Sequence, residues 1–352
     1  MVTMKQIKYT LLAAVVAVAF TSCEKVSPIG VLVSGTGVED RVKMSHQYYD
    51  EHKSDYKYHM VSGDYSFLVG ADSHLTTDDS RMAEMLQIGL DHNDLFYAHL
   101  GDIADTKAEY YIRLENVINE YKKRWAEKHY EKIFVGDETD EYQKEDESLY
   151  FYSDGDRIYT LDEIQFPFYP VVGNHDITHN GWALWSNIFH SSFYKIPILV
   201  TTDADTGEMV IDNLIFLDSA SGTLGKEQVD LIEEGVLENK EMEREYGIKT
   251  RNTFVFSHTN IFRPRSVEFA STFPREEMFF LLDKFAEWNA TIVFLGHVHM
   301  WDHQTVNGIE YLTLESMCEA NNPEPGDYLV RVNVKKDGTT TWEHVHMNTR
   351  KQ

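Results

Sequence analysis

Asp72 and His74 stand two residues apart in the run Gly70-Ala71-Asp72-Ser73-His74, directly after the apolar residues 65–69. An apolar run bounded by glycine reads as a buried strand that ends where the aspartate begins. A carboxylate and an imidazole in that position are costly unless they bind something, and a divalent metal would use both. Similar clusters recur downstream. Residues 94–100 deliver Gly101-Asp102-Ile103-Ala104-Asp105, and residues 166–172 deliver Gly173-Asn174-His175-Asp176. Residues 253–256 deliver Ser257-His258, and residues 291–295 deliver Gly296-His297-Val298-His299.

The candidate donors are therefore Asp72, His74, Asp102, Asn174, His258, His297 and His299, with His175 left over. Carboxylate, amide carbonyl and imidazole without a thiolate suit Zn, Fe, Mn or Co better than Ca or Mg alone. These donors are too many for one ordinary site. They fit two ions if one carboxylate bridges. Two ions roughly 3.5–4 Å apart clamp an in-line displacement at phosphorus, with a bridging hydroxide as the nucleophile.

The elements that must position these residues are legible in outline. Helical spacing covers residues 78–90, 107–131, 225–237 and 276–288, and further strands are expected over 214–217, 309–314, 328–334 and 341–347. Asp337-Gly338 marks a hairpin turn. Strands alternating with helices imply an α/β fold with a mostly parallel or mixed sheet. In such sheets ligands gather beyond the carboxyl ends of the strands, so the clusters are expected to converge along one edge.

The ordered blocks D-x-H (72–74), G-D-x-x-D (101–105), G-N-H-D (173–176), a strand-terminal His258 and G-H-x-H (296–299) resemble the calcineurin-like metallophosphoesterase superfamily. The resemblance implies a four-layer α-β-β-α sandwich of two mixed sheets flanked by helices. It implies one metal on Asp72, His74, Asp102 and His299, and a second on Asp102, Asn174, His258 and His297, with Asp102 bridging. It places His175 at the scissile phosphate, where it stabilises charge or protonates the leaving oxygen. Asp176 and Asp105 would orient imidazoles from behind. Asn174, His175 and Arg263 are the expected substrate contacts, the last because guanidinium matches phosphate oxygens. Arg265 has the same chemistry.

The chain has 352 residues, a formal net charge of -26 and 13% aromatic residues. The acidic balance argues against a nucleic-acid partner, though bound metal ions would still admit a phosphate substrate. Lys5 and Lys8 precede an apolar run over residues 9–20 and then Thr21-Ser22-Cys23. That run is too short to span a bilayer permanently and reads as a signal peptide over residues 1–22. Small residues before the cysteine resemble a lipobox, so Cys23 is the expected lipidation site. The protein would then be anchored in the bacterial envelope, facing the periplasm or the cell surface. Cys318 is the only other cysteine, and no disulfide is expected. Residues 23–60 read as a tether and approach segment, with loop or short helix over 45–60. Residues 61–350 read as a single domain with an acidic insertion around 132–165, expected to be a solvated loop.

Other polar residues invite simpler readings. His99 is expected to be a hydrogen-bonded core residue, His92 lies in a polar turn, and His344 and His346 share one face of a strand. His179, Asn180, Trp182, Trp185, Trp301 and His303 would either wall the pocket or pack beneath loops. The expected function is hydrolysis of phosphomonoesters or phosphodiesters dependent on two divalent transition metals. The alternative is a non-catalytic envelope protein that binds a ligand on the same fold. No protein partner is identifiable.

Overall fold

The computed structural model describes residues 36–52, 59–137, 139–203, 205–262, 274–318 and 320–348. The signal segment, Cys23, Arg263 and Arg265 lie outside the described residues. Two sheets carry the architecture. In chain order their strands are β1 (His59–Val61), β2 (Tyr65–Gly70), β3 (Tyr97–His99), β7 (Phe168–Pro170), β8 (Tyr194–Asp203), β9 (Glu208–Phe216) and β10 (Lys249–Ser257). They continue with β11 (Ile292–Leu295), β12 (Asp302–Val306), β13 (Ile309–Thr313), β14 (Gly326–Val334) and β15 (Thr340–Met347). β4 (Glu131–Phe134), β5 (Tyr150–Ser153) and β6 (Ile158–Tyr159) form a small antiparallel sheet of their own.

One large sheet runs β1-β8-β9-β10-β11-β13-β12 and the other β15-β14-β2-β3-β7. Both are mixed. β9, β10, β11 and β13 run parallel, as do β2, β3 and β7, while β8/β9, β12/β13, β14/β15 and β14/β2 are antiparallel. β2 is buried along its whole length, which explains its mostly apolar sequence; its polar exception, Ser66, donates to Asp94 at 2.5 Å. The facing sides of the two sheets share one core. In it Phe67 lies 4.5 Å from Phe96 on one sheet, and the rings of Phe216, Phe256 and Phe294 stack at 4.6 and 5.0 Å on the other.

Helices cover both outer faces. α1 (Val38–Glu51) packs on the larger sheet through Val42. α2 (Ser80–His92), α3 (Ala108–His129), α4 (Asn174–Ile177) and α5 (Trp182–Phe189) cover the smaller one. α6 (Gly225–Glu234) and α7 (Arg275–Glu287) join α1 on the larger sheet through Leu231, Ile232, Leu281 and Phe285. The result is the four-layer α-β-β-α sandwich. No helix among the described residues is long and apolar enough to cross a membrane.

Three expectations need correction. Residues 38–51 form a full helix packed into the fold, not a loose approach. Its inward face mixes Val42 with the polar Arg41 and Ser45, so apolar periodicity misses it. Arg41 is wholly buried, donates to both oxygens of Asp218 at 2.9 and 2.8 Å, and sits beside Ser45, which meets Ser192. The acidic insertion carries a small three-stranded sheet that was not expected, while Asp137, Glu141, Glu145, Asp146 and Glu147 lie exposed between β4 and β5, solvated as expected. Tyr152 anchors it against Ala126 and Ile164, and Asp137, Asp140, Asp146 and Asp154 each accept the backbone N–H two residues on. His99 is fully buried with no hydrogen-bond partner on either ring nitrogen, and burial drives its pKa down to about 3.

Candidate metal centre

The loops beyond the strand ends continue the pairing of the strands themselves. Asp72 N donates to Gly101 O at 3.1 Å, His74 N to Asp102 O at 2.9 Å and Leu75 N to Ile103 O at 2.8 Å. The first two clusters are thus zipped together before any side chain is considered. Asp72, His74, Asp102, His297 and His299 adopt positive φ, at 51, 42, 51, 72 and 55°. Left-handed backbone costs a non-glycine residue roughly 1–2 kcal/mol. Its recurrence at five candidate donors marks backbone bent to aim side chains. Gly173 is required by proximity, because a Cβ there would lie 2.2 Å from both the N and Oδ1 of Asp102.

The sequence-derived donors fall into two groups that share Asp102. In the first, the donor atoms of Asp72, His74, Asp102 and His299 lie within 4.8 Å of one another. His299 Nε2 is 3.4 Å from Asp72 Oδ1 and 3.3 Å from His74 Nε2, which is 3.7 Å from Asp102 Oδ2. In the second group, the donor atoms of Asp102, His258 and His297 likewise lie within 4.8 Å of one another. His258 Nε2 is 3.5 Å from Asp102 Oδ1, 2.9 Å from Asn174 Oδ1 and 3.2 Å from His297 Nδ1. The smaller sheet supplies Asp72, His74, Asp102 and Asn174, and the larger sheet supplies the three remaining histidines.

Asp72 is fully buried and Asp102 is 1% exposed, yet among the described residues their ion-pair partners are imidazoles only. Burial pushes the Asp72 carboxyl up, but His299, His258 and His74 together hold it below the usual carboxylate range. Burial likewise opposes ionisation of Asp102, and His258, His175 and His74 outweigh it. Burial, followed by His258, drives His297 down to about 4. Burial also acts to lower His299, but Asp72 raises it above its ordinary value.

The donor chemistry fits metal ions. His258 Nδ1 meets Leu100 O at 2.7 Å, His74 Nδ1 meets Asp105 Oδ1 at 3.4 Å, and His299 Nδ1 meets Asn321 at 2.7 Å. With each Nδ1 turned to an outer partner, the Nε2 atoms point inward. His74 Nε2 and His299 Nε2 face each other at 3.3 Å, a spacing at which a cation would take both lone pairs. Two buried carboxylates without Lys or Arg call for the same compensation.

His175 stands at the rim. Its backbone N–H donates to Asp102 Oδ1 at 2.7 Å, and its Nδ1 lies 3.5 Å from Asp105 Oδ1. Asp105 thus sits between two imidazoles, those of His74 and His175. Burial raises the Asp105 carboxyl, and these two rings more than offset it. Asp176 departs from its expected role. Its Oδ2 accepts Gly173 N–H at 2.8 Å, and its Oδ1 accepts Ile103 N–H at 3.1 Å and the Tyr111 hydroxyl at 3.0 Å. It fastens two backbone loops to each other rather than orienting an imidazole. Burial first, then Asp102, raises its pKa to about 6.

Several aromatic candidates belong to packing. Trp182 and Trp185 are buried and stacked at 5.4 Å in the core under the smaller sheet. Trp301 packs on Trp342 and on His344, and His303 pairs with Glu310. His179 and Asn180 are exposed with φ of 52 and 67°. His346 pairs with Asp327 at 2.8 Å. Sequence reasoning missed Ser316 and Asn321, whose types and spacing match no ligand pattern. Their only signal is a polar cluster following the apolar residues 309–314.

No family model matches the chain, and no curated protein matches it. Among solved structures it is similar to GAP50, the anchor in the inner membrane complex of Plasmodium, at 9% identity over 83% of this chain and 90% of that one, with a TM-score of 0.48. It is similar to a dimetal phosphatase from Danio rerio at 10% identity over 80% and 95%, with a TM-score of 0.44. It is also similar to a 5'-nucleotidase precursor from Thermus thermophilus at 10% identity, with a TM-score of 0.40, where the match covers 82% of this chain and 55% of that one.

The two-group geometry makes a selective prediction. Asp72 belongs to the first group alone. Asp72→Asn should lower metal content from two ions per chain towards one, because Asn174, His258 and His297 are untouched. Elemental analysis of the purified variant checks this. Two tightly held ions in the variant would contradict the grouping.

Proposed function

We propose that the protein is a hydrolase of phosphate esters, a member of the calcineurin-like metallophosphoesterase superfamily that depends on two divalent transition metals. The observation that carries the reading is Asp102, whose two oxygens face different donor groups: Oδ2 faces His74, and Oδ1 faces His258. When bound, the ions would polarise the phosphoryl oxygens and lower the pKa of a water for attack.

The chain's own residues would do the rest. Asp72, His74 and His299 would hold one ion, and Asn174, His258 and His297 the other, with Asp102 common to both. His175, with Nδ1 turned to Asp105, would use the opposite edge of its ring to steady the departing oxygen or hand it a proton. Asp176 would keep the Gly101 and Gly173 loops in register, so that His175 and Asp102 stay adjacent. The substrate is a small-molecule monoester or diester, and the metals are Zn, Fe, Mn or Co.

Residues 24–352, loaded with Zn²⁺, Mn²⁺, Fe²⁺ or Co²⁺ in turn, should hydrolyse a generic phosphomonoester or phosphodiester. His175→Ala should retain both ions and lose roughly 10²–10⁴-fold in kcat, the range of a general acid. Failure of the unmodified chain to turn over either ester class with any of these ions would refute the proposal. Equal kcat in the variant would remove His175 from the chemistry.

We also propose that Cys23 is lipidated and holds the protein in the bacterial envelope. The support is the sequence pattern of residues 5–23. Cells fed radiolabelled palmitate should label the unmodified protein but not Cys23→Ala. Equal labelling of the two would overturn this.

A further inference from the structure

The segment that follows β13 reaches back to the first donor group. Ser316 Oγ donates to Asp72 O at 2.7 Å and accepts Cys318 N–H at 3.1 Å. Asn321 Nδ2 donates to Ser316 Oγ at 3.3 Å and lies 2.7 Å from His299 Nδ1. His299 Nε2 in turn faces Asp72 Oδ1 at 3.4 Å. These contacts close a ring from Asp72 through Ser316, Asn321 and His299 back to Asp72.

The other inward-facing imidazoles have conventional supports. His258 rests on a backbone carbonyl and His74 on a carboxylate. His299 is 30% exposed at its side chain, and its Nδ1 rests on a side-chain amide. An imidazole that binds a cation through Nε2 carries its proton on Nδ1 and needs an acceptor there. Asn321 faces the ring with Nδ2 here, and reversing its amide turns the oxygen to His299 Nδ1 and supplies that acceptor.

We infer that Asn321 is a positioning residue for His299. It fixes the ring and the Nε2 tautomer through which His299 serves the first metal. The inference rests on reading that group as a metal site. Asn321 is exposed, so its substitution leaves the core intact.

The test is calorimetric titration of chelator-stripped chain with Zn²⁺. The unmodified chain should take up two ions. Asn321→Ala should bind one of them with roughly 10–100-fold weaker affinity and leave the other unchanged. Asn321→Asp, which keeps an acceptor beside Nδ1, should restore binding close to that of the unmodified chain. Two ions bound by Asn321→Ala with unchanged affinities would overturn the inference while leaving the metal-site reading intact. Equal weakening in the Ala and Asp variants would also overturn it. An unmodified chain that binds no Zn²⁺ would remove the metal-site reading and this inference with it.

Discussion

Two carboxylates buried at one edge of the sandwich set the terms for the rest of the structure. Asp72 and Asp102 are withdrawn from water, and imidazoles are their only ion-pair partners among the described residues. Removing an ionised carboxylate from water without compensation costs several kcal/mol. The fold could lower that cost with a lysine or arginine, as it does elsewhere. Asp94 takes Arg331, Asp212 takes Arg251 and Asp218 takes Arg41. At this edge it uses imidazoles, and His258, His74 and His299 turn their Nδ1 atoms to outer partners. That arrangement leaves room for mobile cations and little other rationale for its own stability.

The backbone is bent to the same end. Candidate donors in the left-handed region would relax if their loops were free. The loops are held by ladder-like bonds between the Asp72 and Asp102 turns, and by Asp176, which fastens the Ile103 and Gly173 amides together. The His258 turn is held differently. Ser219 Oγ accepts His258 N–H at 3.0 Å and Thr259 N–H at 2.9 Å, and the adjoining Asp218 is pinned by Arg41 from α1. The helix that precedes the sheets thus shares in positioning a residue of the second donor group.

What could be read from the sequence follows from what each signal encodes. Apolar runs ending in Asp or His gave both the strands and the edge where their clusters meet, because strand burial and donor placement are written in adjacent residues. α1 was hidden because two of its three buried residues are Arg41 and Ser45, whose partners lie more than 140 residues away. The small sheet in the acidic insertion was hidden for a related reason. Its carboxylates cap their own turns, and Tyr152 is the only fully buried residue of its strands, resting on Ala126 and Ile164. Asn321 was out of reach because an amide supporting an imidazole has no spacing rule. His99 looked like a paired core residue, whereas its surroundings are apolar enough to hold it neutral without a partner.

The central claim is that Asp102 joins two metal ions. Diffraction from metal-loaded crystals at the absorption edge of the bound metal tests it directly. The account predicts two anomalous peaks roughly 3.5–4 Å apart, with a carboxylate oxygen of Asp102 bonded to each. A single peak, or two peaks of which Asp102 touches only one, would contradict it.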